Sequence, residues 1–113
     1  MNKNALSTKH EFEFADGTKA YMTLAFIKLK MLAGKNKNLY DRYMKIMAKG
    51  GESEFDTLTV LYAAYVCANL DEENLMTEDE FIEKCGTDRY ALNEAMQVMT
   101  NPKKRKASDN LSN

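Results

Sequence analysis

The chain has 113 residues, of which 44% are apolar and 29% are charged, and its formal net charge is −1. This length fits one domain, in which folding buries roughly 65% of the surface of the unfolded chain, and the composition indicates a soluble globular protein. Two cysteines, Cys67 and Cys85, have neither metal-ligand spacing nor a CxxC motif. We interpret them as reduced, buried thiols of a cytosolic protein, and the N-terminal stretch has no signal-peptide pattern.

The charges are distributed unevenly along the chain. Residues 28–49 include seven basic residues and one acidic residue, whereas residues 71–88 include eight acidic residues and one basic residue. The two segments either pair within one fold or face partners, and solvated helix faces are the simpler interpretation. We divide the chain into a flexible N-terminus at 1–9, a single helical domain at 10–101 and a disordered basic tail at 102–113.

Residues 11–22 predict a small β-hairpin. Phe12 and Phe14 alternate with acidic residues at the period of a strand. Asp16-Gly17 is a turn pair that tolerates positive φ, and a second strand follows it. Because a lone hairpin is marginally stable in water, we expect this one to pack on the helices.

A first helix is predicted over 24–33, with Thr23 as its cap. Its inward stripe includes Ile27 and Met31, and Gly34 ends it as the residue after the last turn.

A second helix begins at Asn36 or Asn38 and extends through Ala48. Its predicted inner face consists of Leu39, Tyr43, Ile46 and Met47. The glycine pair Gly50-Gly51 is predicted to end this helix.

Residues 55–70 are the stretch around which the fold is organised, because 57–70 contains no charged residue. A helix that is apolar on all sides is a buried helix. At about 1.5 Å per residue this run is roughly 20 Å long, which is too short to span a bilayer. Ser53 and Asp56 approximate a capping box ahead of it.

Two shorter helices complete the prediction. Thr77 and Glu80 form a T-x-x-E capping box, and the helix that follows carries Phe81 and Ile82 inward and stops at Gly86.

The last helix is capped by Thr87 or Asp88, extends from Arg89 to about Thr100, and ends before Pro102. Its predicted apolar face consists of Leu92, Ala95, Met96 and Met99. The sequence therefore predicts a mainly α fold, a compact bundle of about five helices around the buried helix 55–70, with the hairpin 11–22 and a disordered C-terminal tail.

The basic run PKKRK after Asn101 is typical of a nuclear-import or nucleic-acid patch. Its four charges provide weak, salt-dependent attraction to phosphate, and no aromatic residues are interleaved with them. A solubilising tail is the simpler interpretation.

No catalytic, cofactor or metal site is predicted, so we do not expect an enzyme. The acidic loop after Leu70 lacks the ligand spacing of an EF-hand. His10 is the single histidine, which leaves a zinc site without enough ligands. The glycine pair Gly50-Gly51 is not followed by the GK[ST] of a phosphate-binding loop.

Four segments, in their order along the chain, carry a family resemblance. They are F-x-F-A-D-G from Phe12, K-N-K-x-L-Y-x-x-Y from Lys35, D-x-L-x-V-L-Y-x-A-Y-x-C-A-N from Asp56, and E-F-x-x-x-C-G-x-D-R from Glu80. Over roughly 12–104 the chain resembles the tail assembly chaperones of long-tailed (siphovirus-like) phages and prophages of Gram-positive bacteria.

The resemblance implies a small, mostly helical protein of the host bacterial cytoplasm that is absent from the finished virion. Such chaperones coat the tape measure protein and recruit subunits of the major tail tube protein. Self-association into rings or spirals would let a small protein cover a long client. A longer form made by ribosomal frameshifting is common in the family. Frameshifting needs a slippery, adenine-rich codon run, which the lysine codons of Lys103-Lys104 would suit.

Methionine and tyrosine side chains on the helices are the candidate partner contacts, because methionine adapts to irregular surfaces. The candidates are Tyr40, Tyr43, Met44 and Met47 on the second helix and Met96 and Met99 on the last. Ordinary core packing is the alternative for each. The alternative function is a small phage regulator that binds nucleic acid through the basic tail, and a virion component is a further option. We expect no membrane partner and no principal role for nucleic acid.

Overall fold

The computed structural model describes residues 9–101, which form five helices and a two-stranded antiparallel hairpin. The elements are β1 (His10–Glu13), β2 (Lys19–Met22), α1 (Phe26–Lys35), α2 (Lys37–Lys49), α3 (Glu54–Ala68), α4 (Glu78–Cys85) and α5 (Arg89–Thr100). The predicted fold class is confirmed: a mainly helical, compact bundle with a small N-terminal hairpin. The predicted tail at 102–113, and all but the last residue of the predicted flexible N-terminus, lie outside the described residues.

Helix α3 is the centre of the fold, as the uncharged run predicts. Strand β2 and helices α1, α2, α4 and α5 all contact it. Val60, Leu61, Ala63 and Ala64 are fully buried. The small side chains among them allow neighbouring elements to approach α3 closely, and the helix buries residues on every side.

The capping box predicted ahead of α3 is wrong. Ser53 occupies the N-cap position, but its side chain makes no capping hydrogen bond. The Asp56 carboxylate instead accepts a hydrogen bond of 2.8 Å from the backbone N–H of Glu52, outside the helix. The carboxylate therefore satisfies a loop donor rather than the N–H of the cap residue.

The hairpin lies where the alternation of Phe12 and Phe14 predicts, and both rings are buried. Phe12 pairs with Ala20 in the antiparallel register. Gly17 has a φ of +89°, as the turn pair indicates. The Phe14 ring meets the ring of Phe81 on α4 edge to face, with centroids 5.6 Å apart. These contacts bury one face of a hairpin that would be marginal alone.

Backbone hydrogen bonds attach both ends of the hairpin to the helices. The Thr23 N–H donates to the Ala64 carbonyl of α3 over 3.0 Å, and the Ala15 N–H donates to the Lys84 carbonyl of α4 over 3.1 Å. The hairpin is thereby fixed at its turn and at its exit.

The limits predicted for α1 differ from those observed. The helix begins at Phe26 with Ala25 at the N-cap. Thr23 is buried, and its hydroxyl accepts a hydrogen bond of 3.2 Å from the Ala25 N–H before the helix starts. Gly34 lies inside the helix, which continues to Lys35.

The stripe predicted for α1 is also wrong. Leu29 and Leu32 are buried, whereas Ile27 and Met31 are exposed. Most of this segment is apolar, so its periodicity is compatible with more than one inward face. The attachment of Thr23 to α3 limits how the helix can enter the bundle, which is information that local spacing does not contain.

The remaining helix starts agree with their capping signals. Asn36 caps α2 and Asp88 caps α5 through their side chains. The Thr77 hydroxyl accepts from the Glu80 N–H at 3.2 Å, and the Glu80 carboxylate accepts from the Thr77 N–H at 2.8 Å. This is the predicted capping box, and it satisfies two N–H groups that the first turn of a helix leaves unpaired.

Candidate protein-interaction surface

The six candidate contact residues do not share one environment. Tyr43 and Met99 are 6% and 7% exposed and belong to the core. Tyr40 and Met96 are half-buried against that core. Met44 and Met47 remain open, at 44% and 42% exposed. The last two are therefore the members of the set that a partner can reach without rearrangement of the bundle.

Helix geometry explains why neighbours on α2 differ. Residues four or seven apart share a face, while residues two apart point in nearly opposite directions. Tyr40, Met44 and Met47 follow the first rule, and Arg42 lies on the other side, where it contacts α4. Tyr43 is four residues before Met47 and lies near the same face, at the edge that meets the core, and burial raises the pKa of its hydroxyl. The inner face predicted for this helix is therefore wrong at Met47, which is exposed.

Helix α1 adds large exposed side chains, and two of them, Ile27 and Met31, belong to the stripe that the sequence assigned to the interior. Phe26 is 90% exposed, Ile27 is 63% exposed, and Met31 is also open. Helices α1 and α2 pack against each other and are joined through the single residue Asn36. We call the exposed apolar set on this helix pair the α1–α2 surface; it consists of Phe26, Ile27, Met31, Met44 and Met47.

Basic side chains accompany the α1–α2 surface. The exposed lysines of the two helices are Lys30, Lys35, Lys37, Lys45 and Lys49. One acidic residue, Asp41, is exposed on the same helices, and its carboxylate accepts a hydrogen bond of 2.8 Å from Lys37. The exposed side chains of the helix pair are therefore mainly apolar or basic.

The basic segment and the acidic segment of the chain meet at one ion pair within the described residues. The Arg42 guanidinium binds the Glu78 carboxylate, and this hydrogen-bonded contact lowers the pKa of Glu78. Lys35 reaches the end of α3 instead, where its ammonium donates to the Leu70 carbonyl over 3.1 Å. Most charges of both segments stay exposed, so internal pairing accounts for a small part of the asymmetry.

Two further exposed aromatic residues belong to other helices. Phe55 and Tyr90 are in the first turns of α3 and α5 and are 69% and 76% exposed. Each is the chain neighbour of one partner in the ion pair between Glu54 and Arg89. They offer two large exposed aromatic side chains on helices other than α1 and α2.

A groove of about 320 Å³ lies between β1 and α5. Its lining includes the whole of β1 together with side chains of α5. The apolar part of the lining consists of Phe12, Met22, Ala91, Ala95, Val98 and Met99, and the acidic part consists of Glu11, Glu13 and Glu94.

Neither a metal-binding cluster nor an activated cysteine is found within residues 9–101. No group of three or more His, Cys, Asp or Glu side chains there could hold a metal ion. Burial raises the pKa of the Cys67 thiol to about 12 and that of the Cys85 thiol to about 11, so neither is a ready nucleophile. None of the helices in this part of the chain is long and apolar enough to cross a membrane.

Comparisons with known proteins add no relative: no family model, no curated protein and no solved structure matches this chain.

Phe26 and Ile27 are the surface residues that sequence reasoning missed. One signal was available: Leu29 and Leu32 are three residues apart and form an alternative stripe on the other side of the helix. Choosing between the two stripes requires knowing that Thr23 binds α3, which is a tertiary contact.

Proposed function

We propose that this chain is a tail assembly chaperone of a long-tailed phage or prophage of Gram-positive bacteria, acting in the host cytoplasm. Its client is the tape measure protein, and it recruits the major tail tube protein during assembly without remaining in the finished virion. The proposal is supported by the four ordered sequence segments together with the α1–α2 surface. Self-association into rings or spirals on the client is part of the proposal.

The α1–α2 surface is the observation that carries this proposal. A folded bundle gains nothing in its own stability from a phenylalanine that is 90% exposed, and several large apolar side chains exposed on one helix pair are a feature that a protein partner would cover. Methionines such as Met44 and Met47 adapt to varied partners. Exposed side chains of this kind suit transient contact with a long apolar helix, from which tube subunits can displace the chaperone.

The charges narrow the chemistry of the client. Because the surrounding exposed side chains on α1 and α2 are mainly lysines, the preferred client helix has an apolar seam flanked by acidic residues. Opposite charges at the rim of an interface mainly raise the association rate and select the partner. Binding should therefore weaken at high salt without being abolished.

Co-expression tests the proposal. The chain is produced together with the longest reading frame encoded just downstream in the same gene cluster, and the soluble fraction is examined by pull-down and light scattering. The wild-type chain should keep the large protein soluble and co-purify with it in many copies. The double variant Phe26→Ser/Ile27→Ser should lose most of this activity.

The matched control is Phe55→Ser/Tyr90→Ser, which also removes two exposed apolar side chains. It should retain the activity of the wild type. The proposal is wrong if the client stays insoluble with every version of the chain. A second outcome would also contradict the proposal. In it, the client stays in the pellet while the chain binds DNA or RNA in a salt-sensitive manner, and this binding is lost when Lys103, Lys104, Arg105 and Lys106 are neutralised.

A further inference from the structure

The outer edge of β1 has its backbone hydrogen-bonding groups directed away from the hairpin. Strands β1 and β2 form a two-stranded sheet, and hydrogen-bonded residue pairs alternate with non-bonded pairs along an antiparallel ladder. The Phe14 N–H donates to the Thr18 carbonyl over 2.7 Å, so Phe12, two residues earlier, also exchanges hydrogen bonds with β2. The N–H and C=O groups of Glu11 and Glu13 therefore point away from β2.

The outer edge of β2, in contrast, is attached to the helical core. The Tyr21 carbonyl on that edge accepts a hydrogen bond of 3.3 Å from the side chain of Asn69, the residue that follows α3. Within residues 9–101, the backbone hydrogen bonds formed outside the sheet do not involve Glu11 or Glu13. A row of unpaired N–H and C=O groups is a template on which another strand pairs, so β1 is the edge that a second chain can extend.

The groove between β1 and α5 gives such a strand access to this edge. The groove has a volume of about 320 Å³, and β1 forms one of its walls. Helix α5 contributes the small side chains of Ala91 and Ala95 to the lining. Because paired strands lie about 4.8 Å apart, the pairing strand needs open space directly beside β1, and the groove supplies it.

The charges along β1 fit a second copy of the same strand. Lys9, Glu11 and Glu13 are exposed and follow one another at the strand period. The Lys9 ammonium lies 5.8 Å from the centre of the Tyr21 ring, and Tyr21 pairs with Glu11 in the register of the hairpin, so Lys9 lies on the same face as Glu11. When two copies pair antiparallel about Glu11, Lys9 of each copy lies opposite Glu13 of the other, and opposite charges facing each other across a ladder stabilise it.

The alternative registers are less favourable. Centring the pair on Phe12 places Glu11 opposite Glu13 twice, and centring it on Glu13 places that residue opposite itself; like charges directly opposite destabilise a sheet. Centring it on His10 places Glu13 beyond the β1 strand of the other copy. The register about Glu11 does set this residue opposite its own copy. In each chain, however, the Lys19 ammonium lies 3.8 Å from the Glu11 carboxylate and offsets its charge.

We propose that two copies of this chain pair through the outer edges of β1, antiparallel and centred on Glu11, and so form one four-stranded sheet across a two-fold axis. A two-fold contact closes on itself, so its product is a dimer, and a ring or spiral would require a second contact. The inference rests on β1 and does not depend on the chaperone proposal, which rests on the α1–α2 surface.

Sedimentation and disulfide trapping of the whole chain test the inference. The wild type should sediment as a concentration-dependent dimer. Glu11→Cys should form a disulfide-linked dimer on mild oxidation, because the Cα atoms of a hydrogen-bonded pair lie about 5.5 Å apart, within the range of about 4.4–6.8 Å that a disulfide spans. The native thiols do not interfere, because Cys67 and Cys85 are buried. The matched control is Glu13→Cys on the same strand: the two copies of this residue are four positions apart along the ladder, about 14 Å, and should not link.

Charge exchange tests the register without a new thiol. Glu13→Lys sets two positive charges opposite each other at both ends of the pairing, and it should raise the dissociation constant of the dimer about tenfold or more. Lys9→Glu/Glu13→Lys exchanges the charges and should return the constant to near the wild-type value. Circular dichroism on each variant checks that the helices are intact.

Blocking the edge is the third arm of the experiment. Glu11→Pro removes an N–H that points away from β2, so it should abolish the dimer and leave the hairpin bonds in place. The inference is overturned if the wild type is a monomer up to its solubility limit, if Glu13→Cys links as readily as Glu11→Cys, or if the charge exchange fails to restore the dimer. A dimer that survives Glu11→Pro but is lost in Phe26→Ser/Ile27→Ser would place the contact on the α1–α2 surface and would also overturn the inference.

Discussion

Arg42 on α2 binds Glu78, the first residue of α4, through two parallel hydrogen bonds: Nη1 to Oε1 over 2.8 Å and Nη2 to Oε2 over 2.9 Å. The Thr59 hydroxyl of α3 contacts both partners, donating to Glu78 over 3.2 Å and accepting from Arg42 over 3.3 Å. Three helices are thus joined at one side-chain network. A two-pronged guanidinium–carboxylate contact is among the stronger hydrogen-bonded pairs.

Removing the Arg42 guanidinium should therefore cost more than removing an ordinary surface charge. We expect Arg42→Met to lower the free energy of unfolding by about 1–2 kcal/mol, because Glu78 is left partly buried without its partner. Lys37→Met is the control: it breaks an exposed ion pair within α2, and ion pairs that are exposed to solvent contribute little to stability. Urea unfolding measures the stability of both variants, and equal losses would show that the Arg42–Glu78–Thr59 network adds nothing to the free energy of unfolding.

Gly86 should be the least replaceable glycine among the described residues. Its φ of +66° disfavours L side chains, and an added Cβ would lie 2.8 Å from the Cβ of Ala15 at the hairpin turn. We expect Gly86→Ala to destabilise the protein by about 2–3 kcal/mol, as unfavourable φ and overpacking combine. Gly34→Ala should do the reverse, because that site lies in α1 with open space around it, and alanine favours a helix by about 0.5–1 kcal/mol. Thermal unfolding should shift in opposite directions; shifts of the same sign would contradict the structure.

Stability should fall with acid through two identified carboxylates. Hydrogen bonds from the Thr18 hydroxyl and N–H, aided by Lys84, lower the pKa of Asp16 to about 2, and Arg42 lowers the pKa of Glu78. A carboxylate whose pKa is lower in the folded state stabilises that state above its unfolded pKa of about 4, and this contribution is lost as the pH falls toward the folded pKa. Unfolding free energies measured from about pH 5 down to about pH 2 should therefore decline progressively.

Substitution identifies the source of this decline. Asp16→Asn should make the curve flatter between about pH 4 and about pH 2, while Glu72→Gln in the exposed loop should leave its slope unchanged. If the two variants follow the same curve, the hydrogen bonds at Asp16 do not contribute to the acid sensitivity.

The parts of the fold that depend on local chemistry were predictable from sequence. The helix cap at Thr77 needs only a hydroxyl and a carboxylate three residues apart, and the alternation of Phe12 and Phe14 needs only the strand period. Helix α3 was recognisable because a helix without charge on any side packs into the interior of a bundle. In each case the deciding interaction lies within a few residues along the chain.

What could not be predicted depends on contacts between distant segments. The rotation of α1, and with it the exposure of Phe26 and Ile27, follows from the bond between Thr23 and Ala64. The candidate set was likewise chosen by residue type, whereas exposure separates Met44 from Tyr43. Side-chain chemistry alone does not distinguish an adaptable contact residue from a core residue.

The two native thiols should be inert until the protein unfolds. Burial raises the pKa of both Cys67 and Cys85 well above neutral pH. Because the thiolate is the reactive form of cysteine, both side chains are then almost entirely in the unreactive thiol form. Alkylation by iodoacetamide at neutral pH should leave both unmodified in the folded chain and modify both in urea. The variant Ser53→Cys, at an exposed position, should react at once and serves as the positive control. Rapid reaction of the wild type would mean that α3 or α4 opens frequently.

The candidate contact residues should separate into two classes when each is truncated. Tyr43→Ala and Met99→Ala remove buried side chains and should each cost about 3 kcal/mol of unfolding free energy, through lost burial and the cavity left behind. Met44→Ser and Met47→Ser change exposed side chains and should stay within about 0.5 kcal/mol of the wild type. A client-binding measurement on the same four variants then distinguishes a loss of folding from the loss of a contact surface. Loss of binding in Met44→Ser or Met47→Ser at unchanged stability would assign α2 to the interface, because no core defect could account for it; loss confined to Tyr43→Ala and Met99→Ala would reflect unfolding alone.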